Sequence, residues 1–283
     1  MGETYNDDEM YQETIMLDED FDLDEYERMD SKLSIKIGVS SIIGTRDYQQ
    51  DTLFSGSSNG MNIAIVCDGM GGMASGDLAS KTATKILAED FYNLPHDADI
   101  PEFLRREVDK MDQAVEVISD EDGGSGTTLV AVIERDGIMY WVSVGDSRIY
   151  MIRKEQIINV NRDHNLRLKL DAELEAGKIT LEEYRSKEKQ AEALISYIGI
   201  GGVPLVDIGK GTKLEENDII ILSSDGLYKR LNNSEVLDIA LCDAPDMNRV
   251  AKQLTNVVMK RTQRHQDNTS VIAMQYNRYK NKN

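Results

Sequence analysis

Eight short segments with the apolar spacing of β-strands constrain the fold of this chain more than any other feature. In the first, KLSIKIGVS at 32–40, every second residue from Leu33 to Val39 is apolar, which is typical of a half-buried strand. Seven further strand-like segments follow at 61–67, 127–134, 138–145, 147–153, 156–160, 218–224 and 269–276. Short turns such as ERDG at 134–137 separate some of them, whereas parallel strands need long crossover connections. The pattern therefore predicts antiparallel sheets.

Amphipathic helices are interleaved with these strands. Apolar residues recur every three or four positions at 79–87, 104–118 and 250–257, which is the spacing of one buried helix face. Two packed sheets covered by helices accommodate this number of both elements. We therefore predict an α+β fold, with a central antiparallel β-sandwich flanked by helices on both faces. It forms one domain over 32–277.

The two ends of the chain differ from this domain in composition. Residues 1–30 contain 13 acidic residues and one basic residue, Arg28, and they contribute −12 to a net charge of −19. We expect 1–31 to be a disordered acidic tail and 278–283 to be a short polar tail. The acidic tail is either an inert solvated extension or a segment that competes with phosphate for cations. No basic surface is evident, so we expect no nucleic-acid partner.

No segment is apolar enough or long enough to span a membrane, and the N-terminus lacks the features of a signal peptide. Cys67 and Cys242 are too few for a disulfide framework. These features predict a cytoplasmic protein that has no membrane partner.

A polar, helical insert lies between strands at about 164–199. Leu166, Leu170 and Leu174 share a helix face, and Gly177 ends that helix. Thr180 and Glu183 have the spacing of a capping box for a second helix. An insert of this kind is either a lid beside a site or a packing element, and the sequence leaves both possibilities open.

Five aspartates stand at the ends of predicted strands. The first to stand out is in IVCDGMGG at 65–72, where an apolar run ends on a carboxylate followed by glycines. The five are Asp51, Asp68, Asp146, Asp225 and Asp267. Each taken singly is explained by a turn or a helix cap. If the strand ends share one rim, the carboxylates converge, and a cluster of oxygens suits Mg²⁺ or Mn²⁺.

Two neighbours of these aspartates fit a metal site that acts on phosphate. Gly69 has no side chain, so its carbonyl can approach an ion closely. Arg46 lies five residues before Asp51, and a guanidinium beside divalent cations is suited to holding a phosphoryl group. Neither a P-loop nor a cysteine nucleophile with arginine six residues later is present.

At this point the sequence resembles a known family, the metal-dependent serine/threonine protein phosphatases of the 2C type in their compact bacterial form. The resemblance extends from Leu33 to Tyr276. It rests on eight motifs that occur in the family's order: GTRDYQQD, VCDGMGGMASGDLAS, GSGTTLV, VGDSRIY, RDHNL, AGKITLEEYRS, SSDGLY and QDNTSV. Single motifs of this kind are weak, but eight in order are specific.

The resemblance implies a role for each site residue. Asp68 would bridge two metal ions, the Gly69 carbonyl would bind one of them, and Asp225 and Asp267 would complete the other. Asp146, together with Asp225, would hold a weaker third ion. Asp51 would act through water, Arg46 would clamp the phosphate, and the insert would be the family's flap. A water bridging two Mn²⁺ or Mg²⁺ ions would then attack phosphoserine or phosphothreonine directly.

The resemblance also implies phosphorylated protein substrates, including a serine/threonine kinase, in bacterial signal transduction, and we expect a monomer. Met70 stands where many eukaryotic members have a histidine, so no residue is assigned to protonate the leaving group. The end of the flap, SKEKQAEALISYIG, lacks the usual His-Pro and has Ile-Ser-Tyr where Thr-Arg is typical. Two alternatives remain: a catalytically silent phosphoprotein-binding module, and a phosphatase dedicated to one regulatory partner.

Overall fold

The protein is described by a computed structural model that covers residues 35–71, 75–122, 124–261 and 265–277. The predictions for the acidic tail at 1–31 and the polar tail at 278–283 lie outside the described residues. Among the described residues, no helix combines the length and apolar character required to cross a membrane.

Eleven strands form two antiparallel sheets in the described part of the chain. Their bounds are Ile35–Ile42 (β1), Asp51–Ser58 (β2), Met61–Met70 (β3), Gly126–Thr127 (β4), Leu129–Arg135 (β5), Ile138–Val144 (β6), Arg148–Arg153 (β7), Gln156–Asn159 (β8), Asp207–Lys213 (β9), Ile219–Ser223 (β10) and Thr269–Tyr276 (β11). The first sheet has the order β1-β11-β10-β7-β8, and the second has the order β2-β3-β5-β6-β9, with the short β4 pairing with β3.

The helices are long on the outer faces and short in the insert. Their bounds are Ser75–Tyr92 (α1), Ile100–Asp122 (α2), Leu166–Glu175 (α3), Leu181–Ser186 (α4), Asp225–Tyr228 (α5), Asn233–Asp243 (α6) and Met247–Arg261 (α7), with a 3₁₀ turn at Glu188–Gln190. The capping box predicted for α4 is confirmed, because Thr180 and Glu183 hydrogen-bond each other's backbone N–H.

Three apolar clusters show how the layers pack. One lies between the two sheets and includes Val66, Val130, Ile220 and Ile272. A second joins the outer face of the β3 sheet to α1 and α2, and the third joins the outer face of the β11 sheet to α6 and α7. The predicted α+β sandwich with helices on both faces is therefore confirmed. Burial of these apolar side chains is the main favourable term in its stability.

The two-residue β4 was not predicted as a separate strand, and two longer strands, β2 and β9, were not predicted at all from the sequence. Both are edge strands of the second sheet, and their sequences, DTLFSGSS and DIGKGTK, contain few apolar residues. An edge strand is exposed on one side, so it does not need the continuous apolar alternation on which the prediction depended. The turn at 134–137 is confirmed, since Asp136 and Gly137 have φ values of 53° and 75°, which join β5 to β6 directly.

The insert at 164–199 is anchored to the sandwich at both ends. At its start, the His164 N–H donates to the Gly145 carbonyl at 2.8 Å, and the His164 side chain is fully buried. At its end, Ile198 and Thr127 of β4 exchange two backbone hydrogen bonds of 2.9 and 3.0 Å. Buried Asp112 of α2 accepts hydrogen bonds from the N–H groups at 199, 200 and 202. The insert is thus fixed at its base beside the strands that carry the predicted site.

Candidate metal centre

Asp68 lies in a cluster of carboxylates that come from strands β2 and β3, from two loops and from the start of α5. It is directly opposite Asp51 in the register of β2 and β3. Burial raises the pKa of Asp68 well above its usual range, and the negative charges of the other four predicted aspartates raise it further. The other four carboxylates are therefore close enough to Asp68 to affect its ionisation.

Asp51 is held by two serines from the opposite sheet. The Ser224 hydroxyl donates to Asp51 Oδ2 at 2.7 Å, and the Ser270 N–H donates to that same hydroxyl at 2.9 Å. Burial raises the pKa of Asp51 to about 7, against the opposing effect of these serines, and nearby acids raise it too. Asp51 Oδ1 is buried and has no hydrogen-bond partner.

Asp146 is oriented by a tyrosine and an arginine. The Tyr228 hydroxyl donates to Asp146 Oδ2 at 3.0 Å. The Arg148 guanidinium lies 3.6 Å from the Tyr228 ring centroid and is itself paired with Asp163 at 2.6 Å. Burial raises the pKa of Asp146 to about 6, and the charge of Asp225 contributes to the increase. The Tyr228 hydroxyl thus orients Asp146, and the Arg148 guanidinium packs on the Tyr228 ring.

Asp225 begins α5 and forms an ion pair with Lys229 one turn later. Burial raises the pKa of Asp225, and the Lys229 ammonium opposes that effect. For Lys229 itself, burial lowers the pKa, but the Asp225 carboxylate outweighs it and leaves the pKa above its ordinary value. Asp225 Oδ1 is buried without a hydrogen-bond partner, so one carboxylate oxygen still lacks a donor.

Asp267 and Arg46 form the exposed side of the site. Arg46 donates to Asp267 Oδ2 at 2.7 Å, and its side chain is 56% exposed. The hydrogen bond from Arg46 to Asp267 raises the pKa of Arg46, as do the charges of Asp225 and Asp68. The loop that carries Arg46 is held by Asn268, whose side-chain amide donates to the carbonyls of Ile43 and Tyr48. Arg46 therefore lies beside the carboxylates with more than half of its side chain exposed to solvent.

Gly69 is packed so tightly that no other residue fits there. A Cβ at this position would lie 2.0 Å from the Gly76 carbonyl oxygen and 2.7 Å from the Gln50 carbonyl oxygen. The Gly69 N–H donates to the Gln50 carbonyl, and Gly69 pairs with Thr127 of β4. Because Thr127 also binds Ile198, β4 connects the base of the insert to the residue beside Asp68.

The donor set fits a hard divalent cation. In the described ranges no three His, Cys, Asp or Glu side chains are arranged to hold one metal ion. Asp225 and Asp267 are paired with Lys229 and Arg46. However, two buried carboxylate oxygens of this cluster, Oδ1 of Asp51 and of Asp225, have no hydrogen-bond donor among the described residues. Buried, unpaired anionic oxygens are costly, and Mg²⁺ or Mn²⁺ binds such oxygens by preference.

The structure places the predicted aspartates and Arg46 near Asp68, although among the described residues no three acidic side chains are arranged to hold one ion. Sequence reasoning missed the residues that orient them: Ser224, Tyr228, Lys229, Asn268 and Ser270. A signal was available, since all five lie in the motifs SSDGLY and QDNTSV or directly after the first of these. Their role was not evident because orientation depends on contacts between the two sheets.

Buried carboxylates that suit divalent cations, with an exposed arginine beside them, supply the groups that metal-dependent hydrolysis of a phosphate ester requires. The protein phosphatase 2C model matches residues 40–266, and the chain belongs to that family of metal-dependent enzymes.

Several known proteins are similar to this chain. Protein phosphatase PhpP of Streptococcus pneumoniae is 30% identical over 190 residues, which are 66% of this chain and 75% of the relative. The solved serine/threonine phosphatase of S. agalactiae has a TM-score of 0.75 and 25% identity, and the match covers 86% of this chain and 100% of that chain. The PstP catalytic domain, solved in complex with 2 manganese ions, has a TM-score of 0.65 and 22% identity over 86% of this chain and 99% of its own, which shows the fold.

Proposed function

We propose that this protein phosphatase hydrolyses phosphoserine and phosphothreonine in proteins, using divalent metal ions bound at the carboxylate cluster. The observation that carries the proposal is the convergence of five strand-terminal carboxylates around Asp68, with Arg46 at their exposed rim. The relatives named phosphatases support the substrate class. The intact set of acids argues against a catalytically silent binding module.

Each residue of the cluster has a proposed role. Asp68, the Gly69 carbonyl, Asp225 and Asp267 would hold two ions, and Asp146 with Asp225 would hold a weaker third. Asp51 would act through water. Bound Mn²⁺ or Mg²⁺ supplies Lewis acidity, neutralises phosphoryl charge and lowers the pKa of water at the site. The manganese complex of PstP supports a two-ion site.

The chain's own residues orient the substrate and the ligands. One guanidinium nitrogen of Arg46 pairs with Asp267, and much of the side chain is exposed to solvent. The guanidinium can therefore also bind phosphoryl oxygens. Ser224 and Tyr228 restrain Asp51 and Asp146 by single hydrogen bonds. We further propose that the 32–277 unit is the catalytic domain and that 164–199 is its flap. A cytoplasmic monomer that opposes a serine/threonine kinase is consistent with this activity.

Removal of metal tests the proposed function. We expect the protein with Mn²⁺ or Mg²⁺ to release phosphate from p-nitrophenyl phosphate and from a phosphothreonine peptide. EDTA should abolish that release, because the carboxylates alone repel a phosphate. The measurement is phosphate released over time, with metal added back as the control. Full activity in EDTA would contradict the metal assignment.

Replacement of Arg46 should mainly weaken phosphate binding. We expect Arg46→Ala to raise KM about tenfold with a smaller loss of kcat, because the guanidinium contacts the phosphoryl group in both ground and transition states. Steady-state kinetics at saturating metal measure both constants. Arg105→Ala, at an exposed position on α2, is the matched control and should leave both constants unchanged. An unchanged KM for Arg46→Ala would remove Arg46 from the site.

A further inference from the structure

A polar cavity of about 350 Å³ adjoins the carboxylate cluster on the Arg46 side. Its lining includes Arg46, Lys229, Arg230, His265, Gln266 and Asp267, and we call it the Arg230 pocket. Its volume is within the range of small ligand sites, roughly 300–1,000 Å³. The pocket shares Arg46 and Asp267 with the proposed phosphoryl site, so it is within reach of residues that flank a phosphorylated residue bound there.

Arg230 differs from the other cations of this pocket in its partners. Its Nε donates to Gln266 Oε1 at 2.8 Å, and another guanidinium nitrogen donates to the His265 carbonyl. Both acceptors are neutral, whereas Arg46 and Lys229 are paired with Asp267 and Asp225. The two hydrogen bonds fix the guanidinium in place without neutralising its charge. Among the described residues no carboxylate pairs with Arg230, and an arginine held in this way is well suited to a carboxylate or phosphate.

A second cavity provides an internal comparison. It has a volume of about 300 Å³, lies at the base of the insert and is lined by Arg148, Arg162 and Arg167. Each of these arginines is already paired with a carboxylate, at distances of 2.6 to 2.8 Å. The net charge of the whole chain, −19, also disfavours anions in general. A preference for an acidic ligand would therefore have to come from a local feature such as Arg230.

We propose that the Arg230 pocket binds an acidic side chain that flanks the phosphorylated residue of a substrate. This inference rests on the proposed phosphatase function and adds a sequence preference to it. The same chemistry is available within the chain, because residues 1–30 contain 13 acidic residues. The ligand is thus an acidic peptide segment, which comes either from the substrate or from the chain's own N-terminal residues.

Paired peptides test the proposal. One phosphothreonine peptide carries glutamates on both sides of the phosphothreonine, and the other carries glutamines at the same positions. For the full chain with Mn²⁺ at low ionic strength, we expect KM to be about fivefold lower for the acidic peptide. For each enzyme we divide KM for the glutamine peptide by KM for the glutamate peptide. A general change in activity cancels in this ratio.

Substitutions of Arg230 test whether the preference for the acidic peptide depends on this residue. Arg230→Gln should bring the ratio close to one, while Arg230→Lys, which keeps the charge, and Arg105→Gln, at an exposed position on α2, should retain it. Deletion of residues 1–30 separates the two sources. If the KM ratio of the truncated chain is higher than that of the full chain, and Arg230→Gln in the truncated chain removes this difference, the pocket is assigned to the chain's own acidic segment.

The outcomes are distinct from those that test the function itself. Equal ratios in the full chain, the truncated chain and the Arg230→Gln variant would overturn the acidic pocket while leaving the phosphatase intact. Absence of phosphate release from both peptides in the presence of metal would instead overturn the proposed function.

Discussion

Asp68→Asn should abolish metal-dependent phosphatase activity and, at the same time, stabilise the metal-free protein. The substitution keeps the size of the side chain and removes the negative charge at the centre of the cluster. Loss of residues that merely orient metal ligands costs about 10- to 100-fold, so loss of the proposed bridging ligand should reduce kcat/KM by more than about 100-fold. The opposite effect on stability follows because burial and four neighbouring charges all disfavour the ionised Asp68.

Two measurements test the paired effect. Phosphate release at saturating Mn²⁺ gives kcat/KM, and thermal unfolding in EDTA gives Tm, which should rise by a few degrees for a gain of about 1 kcal/mol. Asp77→Asn is the matched control, since Asp77 is a partly exposed carboxylate on α1 that pairs with Lys81 and lies outside the cluster. A variant that keeps normal activity, or whose Tm in EDTA falls while its activity is lost, would contradict the cluster as described.

The metal-free protein should lose stability as the pH rises from 5 to 8. The pKa values of Asp51 and Asp146 in the folded state are about 7 and about 6, whereas an unfolded aspartate has a pKa near 3.9. Between these values the folded state binds more protons than the unfolded state, so the free energy of unfolding decreases with increasing pH. The stability present below pH 4 is lost as the pH passes through 6 to 7. We expect Tm in EDTA to fall by about 5 °C or more.

Metal should reverse this dependence, because a divalent cation binds the ionised carboxylates and competes with protons. Thermal unfolding from pH 5 to 8, with and without Mn²⁺, measures both trends. Asp51→Asn removes one of the titrating groups, so its Tm in EDTA should depend less on pH than that of the unmodified protein. An unchanged pH dependence in that variant would show that Asp51 does not titrate in this window.

Much of the fold was predictable because its core strands and outer helices are strongly patterned. The alternation in β1 and the apolar runs in β3, β10 and β11 identified the sandwich, since buried strands require apolar side chains. The edge strands β2 and β9 were missed because partial exposure leaves them few apolar residues. Because β2 was missed, the pairing of Asp51 with Asp68 in the proposed site was missed too, since β2 begins at Asp51.

The sequence by itself determined which residues could form the site. Each aspartate lies at or near the end of a strand, and Gly69 and Arg46 lie in the same motifs as Asp68 and Asp51. Thr180 and Glu183 form their capping box from residues three positions apart. These features depend on neighbours in the chain, so they can be recognised without knowledge of the fold.

Only the tertiary structure decided how those residues meet and which charges remain uncompensated. Asp51 and Ser224 are separated by 173 positions, yet a 2.7 Å hydrogen bond joins them across the two sheets. Arg230 is held by His265 and Gln266, which approach it through the β10–β11 pairing, and no local pattern indicates that its partners are neutral. Strand order and sheet packing determine such contacts, because electrostatic interactions depend on distance in space and not on separation along the chain.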